Sequence, residues 1–362
     1  MKTSSTKTRL RKPLLWLAVI VVGFVTLAAW TSRTSTPPFL DETGAIVPNS
    51  IAEERKMSLS GVEQHVLLRG QNKDAPLLVF VHGGPGASAT AFLRTYNADL
   101  ENEFLVVYWD QRGALNSFDS DLDPADMTIE RMTADLGELI DSLLAEFNQD
   151  QVILLAHSWG TILGLEHAAK RPETVAAYIA VSQTTDQMAS DAAGYEWALD
   201  QARAAGDSTA IEQLEEIGLP PYTIEEFITQ RRFVNQFGGT LLEYQSDLDL
   251  LRISMATAEF AWPDAAPLVR GISFSGKALW DEQKTYNAQS RIQSIDVPVY
   301  FVYGRHDKAI SPELGAQYFD QLEAPAKEFI WFENSAHAPL FEEPEKFNDY
   351  IVDIAQSIGI LK

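Results

Sequence analysis

The sequence predicts an α/β chain: an open, mostly parallel sheet with helices on both faces. Three observations predict it. Short apolar runs at residues 77–81, 104–109, 152–156, 175–181, 299–303 and 328–332 lack polar alternation, as strands buried on both faces do. Helix-compatible stretches at 128–147, 161–170, 312–321 and 344–358 separate several of these runs, the rhythm of a doubly wound sheet. Between 184 and 294 that rhythm stops. Ala, Glu, Gln and Leu recur there at helical spacing, with breaks at 218–221, Gly238-Gly239 and Trp262-Pro263. An insertion of this kind between two strands predicts a helical cap over the strand ends.

The chain divides accordingly. Residues 1–30 are a basic tail and an apolar run. Lys2, Lys7, Arg9, Arg11 and Lys12 precede residues 14–30, which are apolar except for Gly23 and Thr26. At about 1.5 Å per residue the run makes roughly 26 Å of helix, near the lower limit for spanning a bilayer. We read it as a single-pass membrane anchor, with a cleaved secretory signal peptide as the alternative. Its basic flank stays in the cytoplasm, so the catalytic domain lies outside the cell membrane, or is secreted if the segment is cleaved. Residues 31–50, rich in Thr, Ser and Pro, read as a linker. Residues 51–183 and 295–362 form the two parts of the α/β core around the cap at 184–294. The core opens with an alternating stretch, 53–69, that contains Ser60-Gly61 and predicts an antiparallel hairpin.

Composition narrows the chemistry. There is no cysteine, which excludes disulfides, thiolate metal sites and a Cys nucleophile. The net charge is −23, and about −28 without the five cations of the tail, so the domain repels nucleic acid and anionic lipid headgroups.

The most informative stretch is 151–164, QVILLAHSWGTILG. An apolar strand runs directly into His157-Ser158-Trp159-Gly160 and then into helix-compatible sequence. A strand, a sharp turn with Ser at its apex and a helix make a nucleophile elbow. The turn lifts the Ser hydroxyl above the sheet and aims the first helical N–H groups at an oxyanion formed there. Such turns need small residues two places to either side of the Ser. Here they are Ala156 and Gly160, with Ala standing where Gly is usual.

Serine needs a base, and the base needs an orienting acid. Of the six histidines, His337 lies in the loop after the run 328–332, and Asp307 follows the run 299–303. Both, like Ser158, fall at carboxyl ends of predicted parallel strands. The chain order Ser158, Asp307, His337 is that of α/β-hydrolases. An oxyanion hole needs two donors. The Trp159 N–H is one, and the loop His82-Gly83-Gly84-Pro85-Gly86 supplies the other.

These segments, with Asp110-Gln111-Arg112-Gly113 and Gly304-Arg305-His306-Asp307, resemble the prolyl iminopeptidase group of the α/β-hydrolase superfamily. The resemblance implies an α/β-hydrolase fold and a Ser158–Asp307–His337 triad. It also implies an oxyanion hole from Gly83 and Trp159, and release of an N-terminal residue from short peptides. No metal or cofactor is required. Two departures stand out. Ala114-Leu115-Asn116-Ser117 replaces the family's small and polar sequence after DQRG. The cap also lacks the Trp-x-x-Trp-Glu stretch whose carboxylate holds the substrate amine. Gly84, Glu196 (in Tyr195-Glu196-Trp197) and Glu259 (near Trp262) are the candidate substrate-binding residues. The departures keep open an esterase, lactonase or amidase acting on a small non-peptide substrate. A catalytically silent binding module is the reading from another class, and the complete Ser/Asp/His set argues against it.

Overall fold

The computed structural model describes residues 36–242 and 247–361. The apolar run at 14–30 lies outside them. Among the described residues, no helix is long and apolar enough to cross a membrane.

The strands are β1 (Ile51–Leu59), β2 (Val62–Gly70), β3 (Leu77–Val81), β4 (Leu105–Trp109), β5 (Val152–His157), β6 (Val175–Val181), β7 (Val299–Gly304) and β8 (Lys327–Phe332). They form one sheet in the order β1-β2-β4-β3-β5-β6-β7-β8. Only β1 with β2 and β2 with β4 pair antiparallel; the other neighbours are parallel. β1 and β2 are the predicted hairpin. Leu59 pairs with Val62 across Ser60 and Gly61, whose φ values are +45° and +79°. Two positive φ angles are what a two-residue hairpin turn requires.

Side-chain alternation builds two cores. Val79, Val81, Leu154 and Ala156 face one, and Leu78, Phe80, Ile153 and Leu155 face the other. The first core is covered by α2 (Ile129–Phe147) and α3 (Gly160–Lys170), and by α10 (Pro312–Gln321) through Tyr318. Thr128 caps α2 by accepting the Arg131 N–H at 3.1 Å, and Asn148, at φ +51°, ends it. Met132, Leu136, Leu139, Ile140 and Leu143 are its buried stripe. The second core is covered by α1 (Thr90–Tyr96), α11 (Pro339–Glu342) and α12 (Pro344–Ser357). Helix α1, placed just after the glycine loop, had no counterpart among the sequence expectations.

The cap comprises α4 (Gln187–Ala205), α5 (Ser208–Ile217), α6 (Ile224–Gln236), α7 (Asp247–Ser254), α8 (Ala265–Gln283) and α9 (Ala288–Arg291). Helices α4 to α6 share a small core of their own around Leu199, Leu214 and Phe233. Helix α8 presses on the glycine loop. A Cβ added to Gly86 would lie 2.2 Å from the Gly271 carbonyl oxygen, so neither backbone tolerates a side chain there. The Ser275 hydroxyl donates to the Gly113 carbonyl at 3.2 Å.

A buried charge network joins residues 36–37 to the core and cap. Glu101 pairs with Arg69 and Arg94, and accepts from the Tyr108 hydroxyl at 2.6 Å. Arg94 also pairs with Glu259 at 3.1 Å. Two guanidinium and two carboxylate groups balance there, which is what allows such charges to be buried. Arg69 binds the Thr36 hydroxyl and, at 2.7 Å, the Pro37 carbonyl. Part of the expected linker therefore packs on the domain.

His65 lies between Asp110, at 3.5 Å, and Glu54, at 3.7 Å. Burial works against its charge, but the two carboxylates outweigh it and hold His65 at about 9, above its usual 6.5. Because the folded value is the higher one, this stabilisation is complete below about pH 6.5 and is lost as pH rises through about 9. Denaturant unfolding at pH 6 and pH 10 should show the wild type losing about 3 kcal/mol more than His65→Gln over that interval. Equal losses would show that the His65 charge contributes nothing.

Candidate active site

Strand β5 delivers Ser158 to the top of the sheet, and α3 begins two residues later. Ser158 has φ +55°, a left-handed conformation uncommon for a non-glycine residue. Its N–H donates to the Val181 carbonyl at 3.0 Å, and its carbonyl accepts from the Thr161 N–H at 2.9 Å. The sharp turn is possible because α3 approaches the end of β3 closely. A Cβ on Gly160 would lie 2.2 Å from the Val81 carbonyl oxygen. The unusual Ala156 also has a local reason. Its methyl group fills space left open by Gly164, where a Cβ would come within 3.0 Å of it.

The His337 ring stands between Ser158 and Asp307. Its Nδ1 lies 2.9 Å from Asp307 Oδ2, and its Nε2 lies 2.8 Å from Ser158 Oγ. An ionised carboxylate only accepts, so Nδ1 carries the proton and Nε2 is free to accept from the serine hydroxyl. Asp307 Oδ1 accepts the Ala309 and Ile310 N–H groups, each at 2.9 Å, and Oδ2 also accepts the Ser182 hydroxyl at 2.8 Å. Burial opposes the Asp307 charge. The His337 ring, the Ile310 N–H and Ser182 outweigh it and hold the carboxyl below its usual range. Asp307 is fully buried, whereas Ser158 is partly exposed. The geometry suits transfer of the serine proton to His337 as Ser158 attacks a carbonyl.

A second set of contacts shapes the oxyanion side. Gly83 lies against Ser158, since a Cβ placed on it would come within 3.0 Å of the Ser158 Cβ. Among the described residues, no protein acceptor takes the N–H of Gly83 or of Trp159. Gly84 beside it is exposed, at φ +136°. The Trp159 indole N–H donates to Gln111 Oε1 at 3.2 Å, and Gln111 Nε2 donates to the His82 carbonyl at 2.7 Å. His82 Nε2 accepts the Gln111 N–H at 3.1 Å, so its Nδ1–H donates to the Gly83 carbonyl at 2.7 Å. Burial pushes His82 down and keeps it neutral, as this pattern needs. Gln111 is thus the clasp between the glycine loop and the elbow. Arg112 braces the loop from behind through two bonds to Asp135, at 2.8 and 2.9 Å.

A family model described as the alpha/beta hydrolase fold matches residues 76–344. The chain belongs to the α/β-hydrolase family. Among its relatives is a probable aminopeptidase, YbaC, of Bacillus subtilis, 33% identical over 82% of this chain and 94% of that protein. The proline iminopeptidase of Heyndrickxia coagulans is 26% identical, over 80% of this chain and 93% of that one. The solved proline iminopeptidase of Mycobacterium smegmatis superposes with a TM-score of 0.61 at 19% identity, covering 84% of this chain and 98% of that one. The resemblance carried by the motifs therefore extends over most of the α/β-hydrolase domain.

The two nominated cap carboxylates stand apart from this cluster. Glu196 is exposed on α4. Glu259 is buried, and its Oε1 accepts from Arg94 and from the Thr36 hydroxyl, each at 3.1 Å. Among the described residues, no hydrogen bond or ion pair joins either one to Ser158, His337 or Asp307. Sequence reasoning also missed several residues. Ser182, which steadies Asp307, follows β6 without any motif. The cap carbonyls of Gly239 and Thr240 accept the N–H groups of Lys308 and His337, at 2.8 and 2.9 Å. Asp191 is the buried carboxylate of α4. Burial, against the pull of Arg231 at 3.1 Å, raises it to about 6.

His157 turns away from the serine hydroxyl, as its place before the turn implies. Its Nε2–H donates to the His337 carbonyl at 2.9 Å, and the two rings lie 4.9 Å apart. Burial, with the His337 ring beside it, pushes His157 down to about 3, so it stays neutral. Steady-state kinetics on a p-nitrophenyl ester should separate these roles. Asp307→Asn should lower kcat by about 10⁴-fold, because the amide favours the wrong His337 tautomer. His157→Phe should lower kcat about tenfold with KM nearly unchanged, the worth of one lost positioning hydrogen bond. An unchanged kcat in His157→Phe would remove it from the positioning of the base.

Proposed function

We propose that this α/β-hydrolase is a prolyl aminopeptidase-like serine hydrolase that releases an N-terminal residue from short peptides. The observation that carries the mechanism is the His337 ring, hydrogen-bonded at once to Ser158 and Asp307. Ser158 attacks the scissile carbonyl while His337 takes its proton and Asp307 stabilises the imidazolium. The oxyanion is held by the N–H groups of Gly83 and Trp159. His337 then protonates the leaving amine, and water, activated by the same histidine, releases the acyl group. The relatives named aminopeptidase and proline iminopeptidase support the peptide reading. The cap favours short substrates over folded proteins.

One observation favours a second reading. Glu259 is already held by Arg94 and Thr36, and Glu196 faces solvent, so neither nominated carboxylate is committed to a substrate amine. An esterase, lactonase or amidase would use the same Ser158 machinery without that requirement. For location, we read residues 14–30 as a bilayer anchor with the basic tail in the cytoplasm, which places the hydrolase on the outer side.

Hydrolysis of proline and alanine p-nitroanilides, beside their N-acetylated forms and p-nitrophenyl acetate, tests the reading. Ser158→Ala should lose about 10⁴-fold or more in kcat on every substrate. Acetylation should lower kcat/KM at least about 30-fold, the worth of a charge-assisted contact to the free amine. Indifference to acetylation would move the enzyme to the esterase class.

A further inference from the structure

The cap meets the reactive loops along a short segment, residues 239–242, that follows α6. The Gly239 carbonyl accepts the N–H of Lys308, next to Asp307, at 2.8 Å, and the Thr240 carbonyl accepts the His337 N–H at 2.9 Å. The approach is close. A Cβ added to Gly239 would lie 2.7 Å from the Lys308 Cβ and 2.8 Å from the Trp197 ring.

Two residues on, the direction of donation reverses. The Leu242 N–H donates to Glu342 Oε1 at 2.7 Å, and the Ala336 N–H donates to Glu342 Oε2 at 2.9 Å. Glu342 ends the short helix α11, which begins at Pro339, just after His337, so the turn carries its side chain back to the loop before it. These bonds close a ring. It runs from Thr240 to His337, back one residue to Ala336, across to Glu342 and on to Leu242. On its other side the His337 carbonyl accepts from His157 Nε2 at 2.9 Å and from the Ser182 hydroxyl at 3.1 Å. The core thus holds the His337 carbonyl, while the cap holds its N–H.

The neighbouring Glu343 supplies a contrast. It braces the same loop, accepting the Ser335 hydroxyl at 2.7 Å and the Asn334 N–H at 3.2 Å, and it pairs with Lys346 at 3.8 Å. All these partners belong to the core.

A carboxylate is an expensive group to place at such a joint. Burial raises the Glu342 carboxyl above its usual range, against the N–H groups of Leu242, Ala336 and Ala338 and the His337 ring, which draw it down. Two acceptor oxygens are what the joint uses. A glutamine would meet one of the two N–H donors with its own NH2 group.

We propose that Glu342 is a positioning residue for His337, and that its carboxylate is the joint through which the cap segment 239–242 fixes the loop carrying that histidine. The inference rests on the serine-hydrolase reading, in which His337 takes the Ser158 proton. In that role a displacement of about 1 Å costs about 100-fold in rate.

The test is steady-state hydrolysis of p-nitrophenyl acetate by the full-length protein, normalised to the sites titrated by a fluorophosphonate. Glu342→Gln keeps the shape of the side chain. It should lower kcat per titrated site about tenfold with KM nearly unchanged. Glu342→Ala, which leaves both N–H groups without their acceptor, should lower it about 100-fold and should quicken amide exchange at Leu242 and Ala336 but not in β5. Glu343→Gln should stay within about threefold of the wild type. A loss confined to the number of titrated sites, with kcat per site unchanged, would make Glu342 a stabilising residue only and overturn the proposal. An equal fall in kcat in Glu343→Gln would show that the loop needs bracing and not a link to the cap, which also overturns it. A wild type that neither takes the probe on Ser158 nor cleaves the ester would refute the hydrolase reading, and the joint with it.

Discussion

Ser158 holds a backbone conformation that an L-residue adopts only when its surroundings compel it, and the organisation of the site depends on that compulsion. The N–H is tied to the end of β6, the carbonyl to the first turn of α3, and α3 is pulled against β3 through a glycine without room for a side chain. The serine hydroxyl, the start of the helix and the glycine loop are thereby fixed relative to one another before any substrate binds. Preorganisation of this kind is where hydrolases gain most of their rate, because donors already in place need no reorganisation when charge develops.

Electrostatic order around the elbow comes from burial as much as from charge. His82 and His157 flank the site, and burial keeps both neutral. A neutral His82 can accept from Gln111 and donate to Gly83, and a neutral His157 adds no positive charge beside His337. Asp307 is as buried as they are but keeps its charge, because the His337 ring, two backbone N–H groups and a serine hydroxyl meet its oxygens. One of the motifs that carry the resemblance thus gains a physical content. The glutamine of Asp110-Gln111-Arg112-Gly113 clasps the loop to the elbow, and the arginine anchors that clasp to α2 through Asp135.

Much of this was legible in the sequence because it is local. A buried strand needs a continuous apolar run, a hairpin needs Ser60-Gly61, and the elbow needs small neighbours. The runs at 77–81, 152–156 and 175–181 fall on β3, β5 and β6, and Ser158, Asp307 and His337 meet as their strand ends imply. What was not legible is what depends on partners distant in sequence. The nomination of Glu259 rested on proximity to Trp262, but its partner Arg94 lies 165 residues away. Ser182 looks like any residue after a strand until Asp307, 125 residues on, is seen beside it. Helix α1 is only seven residues long, two turns, which is too short to establish a period.

The carbonyls of Gly239 and Thr240 hold the backbone of the Asp307 loop and of the His337 loop. The cap is therefore not an accessory laid over a finished enzyme. A shortened core with the insertion excised would lack two of the bonds that set where His337 stands. A transplanted cap from another hydrolase would restore catalysis only if it reproduced that two-residue hinge. The segment that touches the reactive loops is thus bound to them in a way that the outer cap helices are not.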